Sequence, residues 1–297
     1  MVLALHEGMR GRWLGLLMVA GLCSCSTPEV REGVVYDARF ATGVMDVYLP
    51  AGGGAMRPGV MLIHGGAWRG GDRGHFEAAA RRLAESGYVA ATIDYRLVPA
   101  VFPAEVQDCL CALAFLRAHA ADYGLDPARV AVMGYSAGSH LASLVGVAAE
   151  RDELAPDCAA GRTGPPAAVI AGSGAYDLRT RRHRWVEDFM GGTPEQLPEA
   201  YALASPLTHV RPGLPPVLLI QGEDDWIAAP EQAAQMRAAL QGAGVFTRLL
   251  TLDGGGHLLN AGADNGQWFG EMVTESPEAW AVVIDFLDRS IGSQALR

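Results

Sequence analysis

The sequence predicts an α/β fold, a mostly parallel central sheet with helices on both faces. Runs of β-forming apolar residues alternate with helical stretches from residue 60 to residue 289, the order that builds a sheet covered by helices. Several of these runs, VMLIH at 60–64 among them, are apolar almost throughout, as strands buried on both faces must be. At 297 residues, half of them hydrophobic, the chain is long enough for one large core.

The first segment is not part of that core. Arg10 and Arg12 precede the apolar run WLGLLMVAGL at 13–22, too short to span a bilayer and suited to a signal-peptide core. The LCSC that follows at 22–25 is similar to a bacterial lipobox, with Cys25 as the lipidated residue and mature N-terminus. Cleavage without lipidation near Ser24 is the alternative, and a start at Met9 would free the basic leader of Glu7. The expectation is an exported lipoprotein of the periplasm or cell surface, held to the membrane only through that N-terminal lipid. Residues 1–25 are read as the leader, 26–32 as a polar tether and 33–297 as the folded domain.

Within the domain, 33–40 and 43–50 read as a hairpin, closed by the Gly-rich loop 51–59. Strand 60–64, helix 75–86, strand 88–95, helix 104–121, strand 129–134 and helix 137–149 follow. Strand 167–175 comes next, then an irregular stretch at about 178–212 containing RTRRHRW, read as a solvated face or a small cap over a site. Strand 216–222, helix 231–242, strand 246–252 and helix 278–289 complete the pattern. Beyond the leader stand three cysteines, 109, 111 and 158. An odd number excludes a disulfide framework; buried thiols are expected, with one bridge to Cys158 as the oxidised option, and metal binding by the 109/111 pair is not expected. A formal charge of −10, with RTRRHRW as an isolated basic run read as a solvated face or cap, argues against nucleic acid as partner.

Chemistry begins at GYSAG, 134–138. In a chain with 37 Gly the G-x-S-x-G pattern alone is weak, but here it joins a buried strand to a helix, where the flanking glycines permit a strained serine. Ser136 is the candidate nucleophile. At the end of an earlier strand, HGGAW at 64–68 offers backbone N–H groups of Gly66 and Ala67 that, with that of Ala137, can stabilise an oxyanion. A serine hydroxyl needs a base and the base a carboxylate, each in this fold from a loop after a later strand. The loop after 216–222 supplies Asp224 or Asp225, and the loop after 246–252 supplies His257. His64, His75, His183 and His209 are placed less well, and His140, one turn beyond Ser136, reads as packed beneath it; Asp177 reads as a turn or cap residue. Trp68, Tyr135 and Trp226 adjoin these residues in sequence and are candidate substrate-pocket walls. Trp268 and Phe269, in the long segment after His257, are candidates for a lid.

Together HGGAW, DYRLVP (94–99), residues 102–142, GAYDL (174–178), residues 189–210, IQGEDDWIAAPEQ (220–232) and GGGHLL (254–259) resemble the α/β-hydrolase superfamily, in particular the acetyl esterase/lipase and feruloyl-esterase-like carboxylesterases. The resemblance covers about residues 45–290. It implies Ser136 as nucleophile, His257 as base, oxyanion donors in the His-Gly-Gly turn and at Ala137, and selects Asp225 over Asp224, because the family's carboxylate comes three residues after the Gly. Ser139, Ala67 and Gln221 depart from common family residues, Ala67 narrowing the acyl side and Gln221 altering a contact behind the site. The implied activity is hydrolysis of a small-molecule or carbohydrate ester with neither metal nor organic cofactor. Amide or peptide hydrolysis by the same residues, and a binding lipoprotein without catalysis, are the alternatives.

Overall fold

The computed structural model describes residues 27–52, 55–257 and 276–292. Cys25 with its leader, and the proposed lid residues Trp268 and Phe269, lie outside them. Eight strands form one sheet: β1 (Glu29–Val35), β2 (Val44–Leu49), β3 (Arg57–Ile63), β4 (Val89–Ile93), β5 (Leu125–Tyr135), β6 (Ala168–Gly172), β7 (Val217–Gly222) and β8 (Thr247–Leu252). Their spatial order is β1-β2-β4-β3-β5-β6-β7-β8. β2 pairs antiparallel with β1 and β4, and the strands from β4 to β8 are parallel to their neighbours.

Seven α-helices accompany the sheet among the described residues: α1 (Glu77–Glu85), α2 (Ala104–Ala118), α3 (Ala137–Ala148), α4 (Arg184–Met190), α5 (Pro198–Leu203), α6 (Pro230–Gly242) and α7 (Pro277–Ile291). The two-residue period of a strand divides its side chains between two cores. Val60 and Leu62 join Leu83 of α1 and Phe286 of α7 on one face. Met61 and Ile63 join Leu113 of α2, Leu141 of α3 and Met236 of α6 on the other. Burial on both sides explains why β3, β5 and β7 read as nearly continuous apolar runs.

Two sequence boundaries change. The strand at the sheet edge begins at Glu29 and pairs with Leu49, so the stretch read as tether is partly β1. Its polar residues belong to an edge strand wetted by solvent. The region 178–212 is not irregular throughout, since it holds α4, α5 and short 3₁₀ turns. Cysteine pairing takes the oxidised option: Cys111 on α2 is bonded to Cys158, and Cys109, two residues away and on another face, is a buried free thiol.

Candidate active site

The site lies at the carboxyl ends of β3, β5, β7 and β8, where ligands bind in open parallel sheets. Ser136 follows β5 directly, with φ +53° and ψ −117°, a conformation that costs an L residue free energy and that its surroundings must hold. Its N–H donates to the Gly172 carbonyl at 2.8 Å and its carbonyl accepts from His140 N–H at 3.1 Å. The flanking glycines are required by space. A Cβ on Gly134 would lie 2.1 Å from the Gly138 oxygen; one on Gly138 would lie 2.0 Å from the Ile63 oxygen and 2.4 Å from that of His64. The first turn of α3 therefore rests against the end of β3, which brings the serine beside the HGGAW turn.

That turn takes three consecutive positive φ values, +118° at Gly66, +51° at Ala67 and +58° at Trp68. It is closed by Arg69 and Gly70 N–H donating to the Gly66 oxygen at 3.0 and 3.1 Å. From below, the Tyr95 hydroxyl donates to the His64 carbonyl at 2.9 Å, and the Tyr95 ring stacks on His64 at 4.3 Å. Among the described residues the N–H groups of Gly66 and Ala67 have no acceptor, and the N–H of Ala137 stands at the first position of α3, where no residue of the helix precedes it to accept. All three residues line the cavity that holds Ser136.

His257 Nε2 lies 2.9 Å from Ser136 Oγ, and its Nδ1 lies 2.9 Å from both carboxylate oxygens of Asp225. The two loops that carry these residues are tied together. Asp224 N–H donates to the Gly255 oxygen at 2.8 Å and Glu223 N–H to the Leu252 oxygen at 3.1 Å. A Cβ on Gly222 would lie 2.3 Å from the Gly255 oxygen. The Tyr135 hydroxyl donates to the His257 carbonyl. Asp225 is buried and accepts from the N–H groups of Ile227 and Ala228 at 2.9 and 2.8 Å and from Gln221 Nε2 at 3.2 Å. Burial pushes its pKa up, but the hydrogen bonds from His257 and the Ala228 N–H outweigh this and hold the carboxyl below its ordinary value. With Nδ1–H donating to that carboxylate, the Nε2 lone pair faces the serine hydroxyl.

Asp224 is exposed and Asp177 is engaged by Arg179 at 2.9 Å. His140 is buried under the serine, with Nε2 2.7 Å from the Ala204 carbonyl; burial lowers its pKa to about 4. Trp68 and Tyr135 line the cavity; Trp68 stacks on Phe189 at 4.4 Å. Trp226 does not line it. Its neighbour Asp225 turns inward to meet two backbone N–H groups, and Trp226 projects outward, 81% exposed. Gln221, expected to alter a contact behind the site, provides one of the donors to Asp225.

The cavity measures about 210 Å³ and its wall is largely apolar, below the roughly 300–1,000 Å³ of pockets for drug-sized ligands. The stretch read as a solvated face or a small cap over a site brings Arg181, His183, Trp185 and Val186 to the cavity, residues the sequence reading did not name; it did not name Ser173 after β6 either. The first four lie in or beside RTRRHRW, whose composition signals charge and gives no period from which a side chain's direction could be read. Among the described residues no group of three or more His, Cys, Asp or Glu is arranged to hold a metal ion.

The BD-FAE family model matches residues 45–240. The chain is 34% identical over 249 residues to Esterase LipC of Mycobacterium tuberculosis, covering 80% of this chain and 60% of that protein. It is 26% identical over 246 residues to an isoprenylcysteine alpha-carbonyl methylesterase of Arabidopsis thaliana, covering 77% and 56%. It thus spans little more than half the length of these relatives. In fold it is similar to a truncated carbohydrate esterase from gut microbiota, with TM-score 0.75, 22% identity and coverage of 89% of this chain and 97% of that one. A thermophilic esterase of Thermogutta terrifontis gives TM-score 0.70 at 23% identity, covering 91% and 95%. With the model match spanning most of the domain and the sheet order and site geometry described above, the chain belongs to the BD-FAE family of α/β-hydrolase carboxylesterases.

Proposed function

We propose that the protein hydrolyses carboxylic esters through Ser136, His257 and Asp225. The observation that carries the reading is the 2.9 Å contact of Ser136 Oγ with His257 Nε2, continued at 2.9 Å from Nδ1 to Asp225, beside N–H groups of Gly66 and Ala67 that lack acceptors. Ser136 Oγ attacks the ester carbonyl carbon as its proton passes to Nε2. The carbonyl oxygen, now negative, takes hydrogen bonds from Gly66, Ala67 and Ala137 N–H. Asp225 stabilises the imidazolium and does not itself take the proton. Collapse expels the alcohol with the proton from Nε2, leaving an acyl-serine. Water, deprotonated by His257, attacks that ester, and the released acid restores the serine. No step calls on a metal or organic cofactor.

Replacing Ser136 by Ala should lower turnover of short p-nitrophenyl esters on the order of 10⁴-fold or more, with an unchanged thermal transition, and abolish labelling by a fluorophosphonate. Retained turnover in a folded Ser136→Ala protein would overturn the reading. We place this activity outside the cytoplasm, on a Cys25-linked lipid. The leader at 13–22 supports this, as does the Cys111–Cys158 disulfide, a bond that persists in oxidising compartments.

A further inference from the structure

The run RTRRHR at 179–184 contains four arginines, and three of them have carboxylate partners. Arg179 meets Asp177 at 2.9 Å, Arg182 meets Glu195 at 2.8 Å, and Arg184 lies 3.9 Å from Asp188. Arg181 is the exception: among the described residues no carboxylate comes within ion-pair distance of it. It is also the only permanently charged residue among those described as lining the cavity.

The guanidinium is held at one point, where Nη2 donates to the Ile227 carbonyl. Its Nε is buried and has no acceptor among the described residues. Burial lowers its pKa, and the field of Asp225 opposes that shift; a guanidinium stays charged regardless. Asp225 cannot serve as its partner, because the carboxylate is already taken by His257, Gln221 and the backbone N–H groups of Ile227 and Ala228. A half-buried cation on an apolar wall, with no carboxylate at ion-pair distance among the described residues, is unfavourable until something supplies an anion. A side chain needed only to fasten the Ile227 carbonyl would not have to be a cation. At a net charge of −10 the protein as a whole repels anions, so selection for one has to be local.

Resting on the ester-hydrolase reading, we infer that Arg181 recognises a carboxylate borne by the substrate itself, so that the preferred substrates are small esters with a free carboxylate within a few carbons of the scissile carbonyl. Arg181 lines the same cavity of about 210 Å³ as Ser136, which favours a carboxylate close to the scissile carbonyl. The carboxylate belongs either to the acyl part, as in a half-ester of a dicarboxylic acid, or to the alcohol.

Two matched pairs separate these sources: monomethyl succinate against methyl 4-methylpentanoate, and O-acetylglycolate against isobutyl acetate, with acid release followed by pH-stat. The wild-type protein should favour the charged member of one pair by at least about tenfold in kcat/KM, the scale of a charge-assisted hydrogen bond. The favoured pair identifies the side. Arg181→Met should bring that ratio to unity or below, whatever its rate on the neutral ester, and Arg181→Lys should keep part of it. A preference that survives Arg181→Met, or a wild type that cleaves the neutral esters and favours neither charged partner, overturns the inference and leaves the ester hydrolase standing. Should Arg181→Met fail to fold, the wild-type ratios and Arg181→Lys still decide. A wild type that cleaves none of the four, nor any p-nitrophenyl ester, overturns the underlying reading and this inference with it.

Discussion

Glu105, in the first turn of α2, has both carboxylate oxygens buried with no partner from another residue among the described residues. Burial, reinforced by Asp108 and opposed by its own backbone N–H and by Arg96, pushes its pKa up to about 8 from 4.5. Folded, the group is neutral up to that pH; unfolded, it ionises above 4.5. Between the two the unfolded state binds fewer protons, so the stability present below 4.5 is lost as pH rises towards 8. Buried His64 and His140 act in the other direction. Burial lowers both to about 4 from 6.5, so the unfolded state binds more protons and stability falls as pH drops through that window. His75 and His209, also lowered by burial, add to the histidine side; the histidines outweigh the Glu105 carboxyl on the acid side, and above pH 6.5 that carboxyl lowers stability while the histidines add nothing, so thermal stability should peak near there. Glu105→Gln keeps the shape and removes the titration. Relative to the wild type it should gain a few kcal/mol, in order of magnitude, between pH 5 and pH 8; equal melting curves at both values would refute the assignment.

At the level of elements, the seat of α3 on the end of β3 decides whether Ser136 comes beside the N–H groups of Gly66 and Ala67. A Cβ at Gly138 has backbone oxygens 2.0 and 2.4 Å away and no flexible side chain to displace. Gly138→Ala should cost about 1–3 kcal/mol of stability and, by pushing Ser136 away from Gly66 and Ala67, on the order of a hundredfold in kcat. Gly242→Ala, at the end of α6 with open space around its Cβ, serves as the control and should leave both within error. The same elements show what a sequence reveals. β3, β5 and β7 are legible because burial on both faces forces largely apolar runs, and Ser136 and Asp225 because each follows such a strand; His257 follows β8, a half-buried strand at the sheet edge, and is legible as the histidine after the last strand. β1 was obscured because an edge strand tolerates polar residues, so Glu29 to Glu32 resemble a linker. α4 and α5 have seven and six residues, too few for a helical period to emerge. Trp226 adjoins Asp225 in sequence yet points away, since a tight turn reverses side-chain direction from one residue to the next. The Cys111–Cys158 bond joins positions 47 apart, a pairing that no local pattern encodes.

For the molecule as a whole, that bond closes a long loop across α2, β5 and α3. In the chain-entropy account a loop of this length contributes roughly 4 kcal/mol. The chain taken from its own cell should begin at a lipid-modified Cys25 and carry Cys111 and Cys158 joined. Peptide mass spectrometry reads both, and a retained Met1 with free thiols at 111 and 158 would place the protein in the cytoplasm instead. The proposed chemistry is anchored in the sheet, whose strand ends fix Ser136, Asp225, His257 and the N–H groups of Gly66, Ala67 and Ala137 by backbone contacts that leave little freedom. Arg181, Trp185 and Val186 come to the same cavity from a stretch outside the sheet. On the proposed reading, substitutions in that outer stretch would change which esters are accepted while leaving the groups at the strand ends where they stand.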